Sequence, residues 1–331
     1  MKRSDVHLVK AAFHAQFKKT MQDCDLDSAS YFRKVSLPAE IDDPESLLPL
    51  KPFFHLINIV AIENNIPDFG SRVARTTPWH KVASLGPLLA ECETLGDLLT
   101  TFCQIASGQS TIVSFRLRKR NSFMDFCYED VPIYRSDIQM ELYRLTSMIQ
   151  LVQLATDPDW RPALIRLNMP ETTVTGLSPL LAGCRLRFSQ ADSAIAIAEK
   201  QLELPLHQSM IVKKVTGSAG GLDLETDISN SIRQILKSYL PGGKVAIEEV
   251  ARISDLPVRT LQRRLRERGL KFNDMLTEAR FEYAREQLKQ TGVEIKTIAQ
   301  SLGYSDAAHF TRAFRRWSGI SPSEFARQSK S

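Results

Sequence analysis

Residues 247–265, Ile-Glu-Glu-Val-Ala-Arg-Ile-Ser-Asp-Leu-Pro-Val-Arg-Thr-Leu-Gln-Arg-Arg-Leu, and residues 295–314, Ile-Lys-Thr-Ile-Ala-Gln-Ser-Leu-Gly-Tyr-Ser-Asp-Ala-Ala-His-Phe-Thr-Arg-Ala-Phe, repeat one pattern. Each opens with a short apolar helix bearing a small residue, Ala251 or Ala299, where a second helix must cross closely. A turn follows, then a helix with apolar anchors one turn apart: Leu261 and Leu265, or Phe310 and Phe314. The outward positions hold Arg259, Gln262, Arg263 and Arg266, then His309, Arg312, Arg315 and Arg316. Such side chains reach base edges and phosphates when a helix lies in a DNA major groove. Two helix-turn-helix patterns in tandem point to a double DNA reader.

Between them, residues 272–288 space apolar side chains at helical intervals, so a helix joins the two units. At 1.5 Å per residue it spans roughly 25 Å, enough to hold two recognition helices near one DNA turn apart. The most specific stretches are Thr260-Leu-Gln-Arg-Arg-Leu265, Gly303-Tyr-Ser-Asp306 and Phe310-Thr-Arg-Ala-Phe-Arg-Arg-Trp-Ser-Gly-Ile-Ser-Pro322. On these, residues 229–328 strongly resemble the AraC/XylS family of bacterial transcription regulators. The resemblance implies an all-α C-terminal domain with helix-turn-helix units at 247–268 and 295–318. It places Arg259, Thr260, Gln262, Arg263 and Arg266 of the first recognition helix at the DNA, with Ala308, His309, Arg312, Arg315 and Arg316 of the second. Arginine suits the guanine O6/N7 edge and glutamine the adenine N6/N7 edge. Ala308 offers only a methyl contact to thymine, so the second half leans on arginine–phosphate contacts. Asp306 reads as the N-cap of its helix. The first unit departs from the family pattern at Ser254, where an apolar residue is usual, and at Asp255, which replaces the glycine of a left-handed turn.

Charge supports the division. Of the chain's 331 residues, 229–331 carry 19 Lys+Arg against 11 Asp+Glu, leaving 24 against 27 before them. A basic C-terminal domain on a mildly acidic partner fits a nucleic-acid binder fused to a second module. The domains are expected at 1–214 and 229–331, with a linker at 215–228 around Thr216-Gly-Ser-Ala-Gly-Gly221. Cys24, Cys92, Cys103, Cys127 and Cys184 are odd in number and widely spaced, arguing against a disulfide framework or a zinc ribbon. No signal-peptide core and no membrane-length apolar run occurs, so a cytoplasmic protein with no membrane partner is expected.

Before the linker the period changes. Helices are expected over 5–22, 49–65, 85–90, 94–106 and 137–156. Strands are expected over 110–118 and 123–129, turning at Arg120-Asn121, and over 165–168, 184–188 and 194–197. This is an α+β domain. Residues 94–206 also resemble the arabinose-binding-type effector domain of one AraC subgroup, the ornithine/arginine-regulator-like proteins. That resemblance rests on Leu95-Gly-Asp-Leu-Leu99, Asp157-Pro-Asp-Trp-Arg-Pro162 and Gly183-Cys-Arg-Leu-Arg-Phe188. It implies a regulator controlled by a small-molecule effector, binding double-stranded promoter DNA, contacting RNA polymerase and forming a homodimer. An alternative leaves the N-terminal domain to dimerisation alone, with constitutive DNA binding. No cofactor, metal or catalytic site is expected: no cysteine has a His or second Cys within three residues, and no nucleophile elbow or phosphate-cradling glycine loop occurs. Arg72, Arg75, Trp79 and His80 are the candidates for an anionic effector pocket, set against a plain surface loop after Pro67. Arg116, Arg118, Lys119 and Arg120 have the charge for an anionic ligand, but strand alternation sends alternate side chains to water.

Overall fold

Two helix-crossing constraints and one sheet organise the chain, seen in a computed structural model that describes residues 6–41, 43–82, 85–111, 113–129, 137–171, 181, 183–207, 227–243, 245–290 and 293–329. These fall into two compact units. One comprises residues 7–45 and the chain from Pro52 to 207; the other is built from 227 onward and takes in Ser46–Lys51. The first is mixed α/β, and the second is helical around its helix-turn-helix units apart from the short strand Leu47–Pro49.

In chain order the elements up to residue 207 are β1 (Leu8–Lys10), α1 (His14–Asp23), α2 (Ser28–Val35), β2 (Leu47–Pro49), α3 (Lys51–Glu63), α4 (Phe69–Thr76), α5 (Gly86–Leu89), α6 (Leu95–Ile105), β3 (Ser114–Arg120), β4 (Phe123–Glu129), α7 (Ile138–Gln153), β5 (Leu164–Arg166), β6 (Arg185–Arg187) and β7 (Ser193–Ala198). The expected helix over 5–22 is divided. Leu8 N–H donates to Thr111 Oγ1, Thr111 N–H to Leu8 O and Lys10 N–H to Gln109 O, at 2.9–3.0 Å. These bonds hold residues 8–10 extended, and the helix starts only at His14. Apolar spacing is blind to that competition, because all three strand residues are buried.

The sheet runs β3-β4-β7-β5-β6, antiparallel throughout except for the parallel β5–β6 pair. Its hairpin turns at Asn121, whose φ of 52° suits a residue tolerant of the left-handed region. The first strand begins at Ser114, four residues later than its apolar pattern suggests. One face packs inward: Phe115 and Phe126 meet Phe102 of α6, Tyr128 packs on Phe115, and Trp79 stacks on Phe102 at 4.8 Å. Thr94 and Asp97 form a capping box at the start of α6, and Asp137 caps α7. The Asp157–Pro162 segment is a structural corner, with Gln153 Nε2 donating to the Pro158 and Trp160 carbonyls.

α4 and α7 approach at Gly70. Its N–H donates to Gln139 Oε1 at 2.9 Å, and a Cβ there would lie 1.9 Å from the Gln139 carbonyl oxygen. Backbone rather than a movable side chain blocks the space, so the helices must separate. Gly70→Ala should destabilise this unit by about 3 kcal/mol, read as a lowered urea midpoint.

Residues 215–226 of the expected linker lie outside the described residues. Asp227 accepts from Asn230 N–H and starts α8 (Ile228–Tyr239). Then follow α9 (Ile247–Ile253), α10 (Val258–Arg266), α11 (Phe272–Lys289), α12 (Ile295–Ser301), α13 (Ala307–Ser318) and α14 (Pro322–Gln328). Ile232, Ile235 and Leu236 of α8 are fully buried, and Ser238 Oγ donates to the Leu47 carbonyl at 2.9 Å within this unit.

Candidate nucleic-acid interface

The two readers close their turns identically. In the first, Leu256 N–H donates to the Ala251 carbonyl at 2.9 Å and Asp255 takes a φ of 58°. In the second, Tyr304 N–H donates to the Ala299 carbonyl at 2.9 Å and Gly303 takes a φ of 76°. Ala251 and Ala299 are buried where the helices cross, 1% and 0% exposed. The turn satisfies the last carbonyls of α9 and α12 and reverses the chain into α10 and α13. Asp255 therefore does adopt the glycine conformation, which an L residue with a short polar side chain tolerates. Its carboxylate pairs with Lys51 within the same unit.

Leu261 and Leu265 anchor α10 inward, both fully buried. That leaves Arg259, Gln262, Arg263 and Arg266 exposed on the opposite face at helical spacing, with Thr260 half-buried beside them. α13 is anchored by Phe310, Ala313 and Phe314. Ala308, His309, Arg312, Arg315 and Arg316 are all exposed. The anchor is an aromatic cluster: Phe281 of α11, Phe314, Phe310, Tyr304, Trp317 and Phe325 lie with ring centroids 5.5–6.5 Å apart. Edge-on contacts of this kind orient rings as well as bury them. They fix the rotation of α13 about its axis, and so which residues face outward.

Asp306 is the N-cap, accepting from His309 N–H at 2.7 Å; that bond holds its carboxyl below the usual carboxylate range. His309 Nδ1 also lies 3.2 Å from Ser305 Oγ, so the imidazole of this reader is oriented before DNA arrives. On α10, Arg263 Nη1 donates to Glu267 Oε1 at 3.0 Å. Both partners are largely exposed, so the pair is weak and a base edge can displace it. Arg259, Arg266, Arg312, Arg315 and Arg316 make no ion pair among the described residues. Five unneutralised guanidiniums on two outward faces make a surface suited to phosphates.

The effector candidates divide into two environments. Arg72 and Arg75 of α4 are exposed and both pair with Asp68, at 2.9 and 3.1 Å. Trp79 and His80 are buried, Trp79 Nε1 donating to Tyr143 Oη at 3.0 Å. Burial lowers the His80 pKa to about 4, so it is neutral near pH 7. Two of the four are salt-bridged on a helix surface and two are buried, Trp79 within the packed aromatic layer. Asp125 and Asp192, which pattern reading passed over, are the buried partners of the β3 arginines. An acidic residue inside an otherwise apolar strand, Phe123-Met-Asp-Phe-Cys-Tyr128, was the available signal.

With this geometry in place, comparison with known proteins gives two family matches. A helix-turn-helix domain model covers residues 250–328. The model of the arabinose-binding domain of AraC transcription regulators covers residues 26–206, more than half of the chain. The chain belongs to the AraC family of transcription regulators. Its effector-type match starts well before residue 94, so α2 to α5 are part of that domain rather than a preface to it. Over 330 residues this AraC-family chain is 24% identical to the HTH-type transcriptional regulator VirS of Mycobacterium tuberculosis, covering 96% of each. It is 27% identical over 149 residues to the ornithine utilization regulator of Pseudomonas aeruginosa, covering 43% of this chain and 44% of that one. The crystal structure of the regulator CdpR from Pseudomonas aeruginosa aligns over 95% of this chain and 98% of that one, at 17% identity and a TM-score of 0.39. Among the described residues, no helix is long and apolar enough to cross a membrane.

The weak point of the first reader is Ser254. Its hydroxyl is buried, the residue 4% exposed, and it makes no hydrogen bond among the described residues. A buried, unsatisfied hydroxyl is destabilising. Ser254→Ala should therefore raise unfolding stability by about 1 kcal/mol in a urea titration, with DNA affinity unchanged. A loss of stability would show that the hydroxyl is bonded in solution.

Proposed function

We propose that this regulator binds promoter DNA sequence-specifically through both recognition helices and is controlled by a small effector held in its α/β unit. The observation that carries the DNA reading is the pair of identically closed turns, each presenting an exposed polar and basic helix face. Gln262 and Arg263 are assigned to base edges in one major groove. Arg259 faces the same bases beside them, and Thr260 and Arg266 flank them on the backbone. His309, Arg312 and the Ala308 methyl face the second groove, with Arg315 and Arg316 on phosphates. Support for effector control is the match of more than half the chain to an effector-type domain, and a relative named for ornithine utilization. RNA polymerase contact and a homodimer bound to repeated sites complete the reading.

The two assignments separate by experiment. Arg263→Ala should cost about 1–3 kcal/mol on the cognate site and relax preference at one or two base pairs. Equal weakening on random DNA would make Arg263 a phosphate contact. Arg316→Ala should weaken binding on every sequence and reduce the slope of log affinity against log salt by about one unit. An unchanged slope would remove Arg316 from the interface.

The architecture predicts the footprint. Two protected segments should be centred roughly 10–10.5 bp apart on one DNA face. Gln262→Ala with Arg263→Ala should erase one segment, and His309→Ala with Arg312→Ala the other. A single protected groove that responds to both pairs alike would overturn the two-reader assignment.

A further inference from the structure

The outward face of the sheet carries a charge arrangement outside the two proposed DNA readers. Strand alternation brings six arginines to that side: Arg116, Arg118 and Arg120 of β3, Arg166 of β5, and Arg185 and Arg187 of β6. Two buried carboxylates stand among them, Asp125 at 0% and Asp192 at 4% side-chain exposure. Arg166 Nη1 reaches Asp125 Oδ1 at 2.5 Å and Arg120 Nε reaches its other oxygen at 2.9 Å. Arg116 and Arg118 hold Asp192 at 2.6 and 2.8 Å, and Arg118 also lies 3.6 Å from Asp125.

The strand between makes this convergence possible. β7 separates β5 from β4, and its residues on this side are Ala194 and Ala196. Adjacent strands lie about 4.8 Å apart, so Arg166 must extend across roughly 10 Å of sheet to reach Asp125. Only side chains as small as alanine leave that path open.

The arrangement is not self-neutralising. Glu129, at 3.0 Å from Arg116, is the only other acid paired with these arginines among the described residues, so six positive charges face three negative ones. Arg185 and Arg187 are exposed and make no ion pair among the described residues. Arg118 Nε is buried and finds no acceptor among the described residues. Donors are in excess as well: the four inner guanidiniums bring about twenty N–H groups to two carboxylates with about four lone-pair sites each. An unneutralised, donor-rich cluster over a buried floor is suited to an anion with several oxygens, which guanidinium groups bind in pairs of parallel hydrogen bonds. A compact ligand fits better than a peptide, because Arg118 ties the two carboxylates into one centre instead of a row along the face.

We propose that this arginine-lined sheet face binds a small multivalent oxyanion, a di- or tricarboxylate or a phosphate ester, and that this ligand is the effector. The second half rests on the effector reading of the α/β unit. The probes are citrate and inorganic pyrophosphate, titrated calorimetrically into the full-length protein without DNA. At least one should bind. Arg185→Gln with Arg187→Gln should weaken it about tenfold or more and leave the melting temperature of the unliganded protein unchanged, because neither arginine holds a buried carboxylate. Arg316→Ala should leave anion binding intact. The site is overturned if neither anion binds, if the double variant binds as well as the parent, or if binding is lost in Arg316→Ala instead.

Operator affinity measured with the bound anion, in the parent and the double variant, tests the effector half separately. A shift in the parent alone supports it. Arginine-dependent anion binding without any shift leaves the site standing and overturns its effector role. If an uncharged or cationic metabolite shifts operator affinity while neither anion binds, effector control stands and this site does not.

Discussion

Each DNA reader depends on a carbonyl of a buried alanine accepting an N–H five residues later, across a turn whose fourth residue is left-handed. That closure sets how sharply the second helix leaves the first. A larger residue at Ala251 or Ala299 would push the helices apart, and a β-branched residue at 255 or 303 would strain the turn. Everything facing DNA is downstream of it. The anchors Leu261 and Leu265, or Phe310 and Phe314, fix the rotation of the recognition helices only because the crossing angle has already been fixed. The outward arginines then need no structural partner, and five of them have none among the described residues.

The two readers meet this constraint differently. Gly303 adopts the left-handed turn without steric cost, and Asp306 caps the following helix. Asp255 adopts the same conformation at some expense, Pro257 starts α10 without a side-chain cap, and Ser254 buries a hydroxyl with no partner among the described residues. The second unit also stands in a dense aromatic cluster, with no counterpart at the first among the described residues. Local stability is therefore uneven across one DNA-binding unit, with the residues best suited to read bases, Gln262 and Arg263, on its less secure half.

The C-terminal elements were legible because their signals are local: helical spacing, a small residue at the crossing, a turn residue and an N-cap lie within one stretch of chain. The joining helix was expected over 272–288 and is found at Phe272–Lys289 for the same reason. The α/β unit was legible as a class, but α2 and α4 were not expected at all, and the other elements were less legible at their edges. Leu8–Lys10 is extended because of partners at residues 109–111, a hundred positions away and invisible to any window. The candidate effector residues illustrate the same limit. Arg72 and Arg75 look free until Asp68 is seen beside them in space, and Trp79 looks like a surface aromatic until Phe102 and Tyr143 enclose it. The β3 arginines were visible as charge, but their convergence with Arg166 on Asp125 depends on strand order, which apolar alternation does not encode.

The joining helix α11, 18 residues long, also constrains how the protein can change. Each residue of an α-helix adds about 1.5 Å of length and about 100° of rotation. One inserted residue would thus shift the second reader only slightly along the DNA but turn it far around the helix axis, pointing its contact face away from the groove. An insertion near 7 or 11 residues, close to two or three whole turns, would be needed to restore the angle, and by then the second reader would have moved roughly 10–16 Å. Substitutions on the exposed side of α11 are cheap, whereas any change in its length is not. The spacing between the two half-contacts on DNA is in this sense a discrete quantity, set by counting residues in one helix and closed to gradual adjustment.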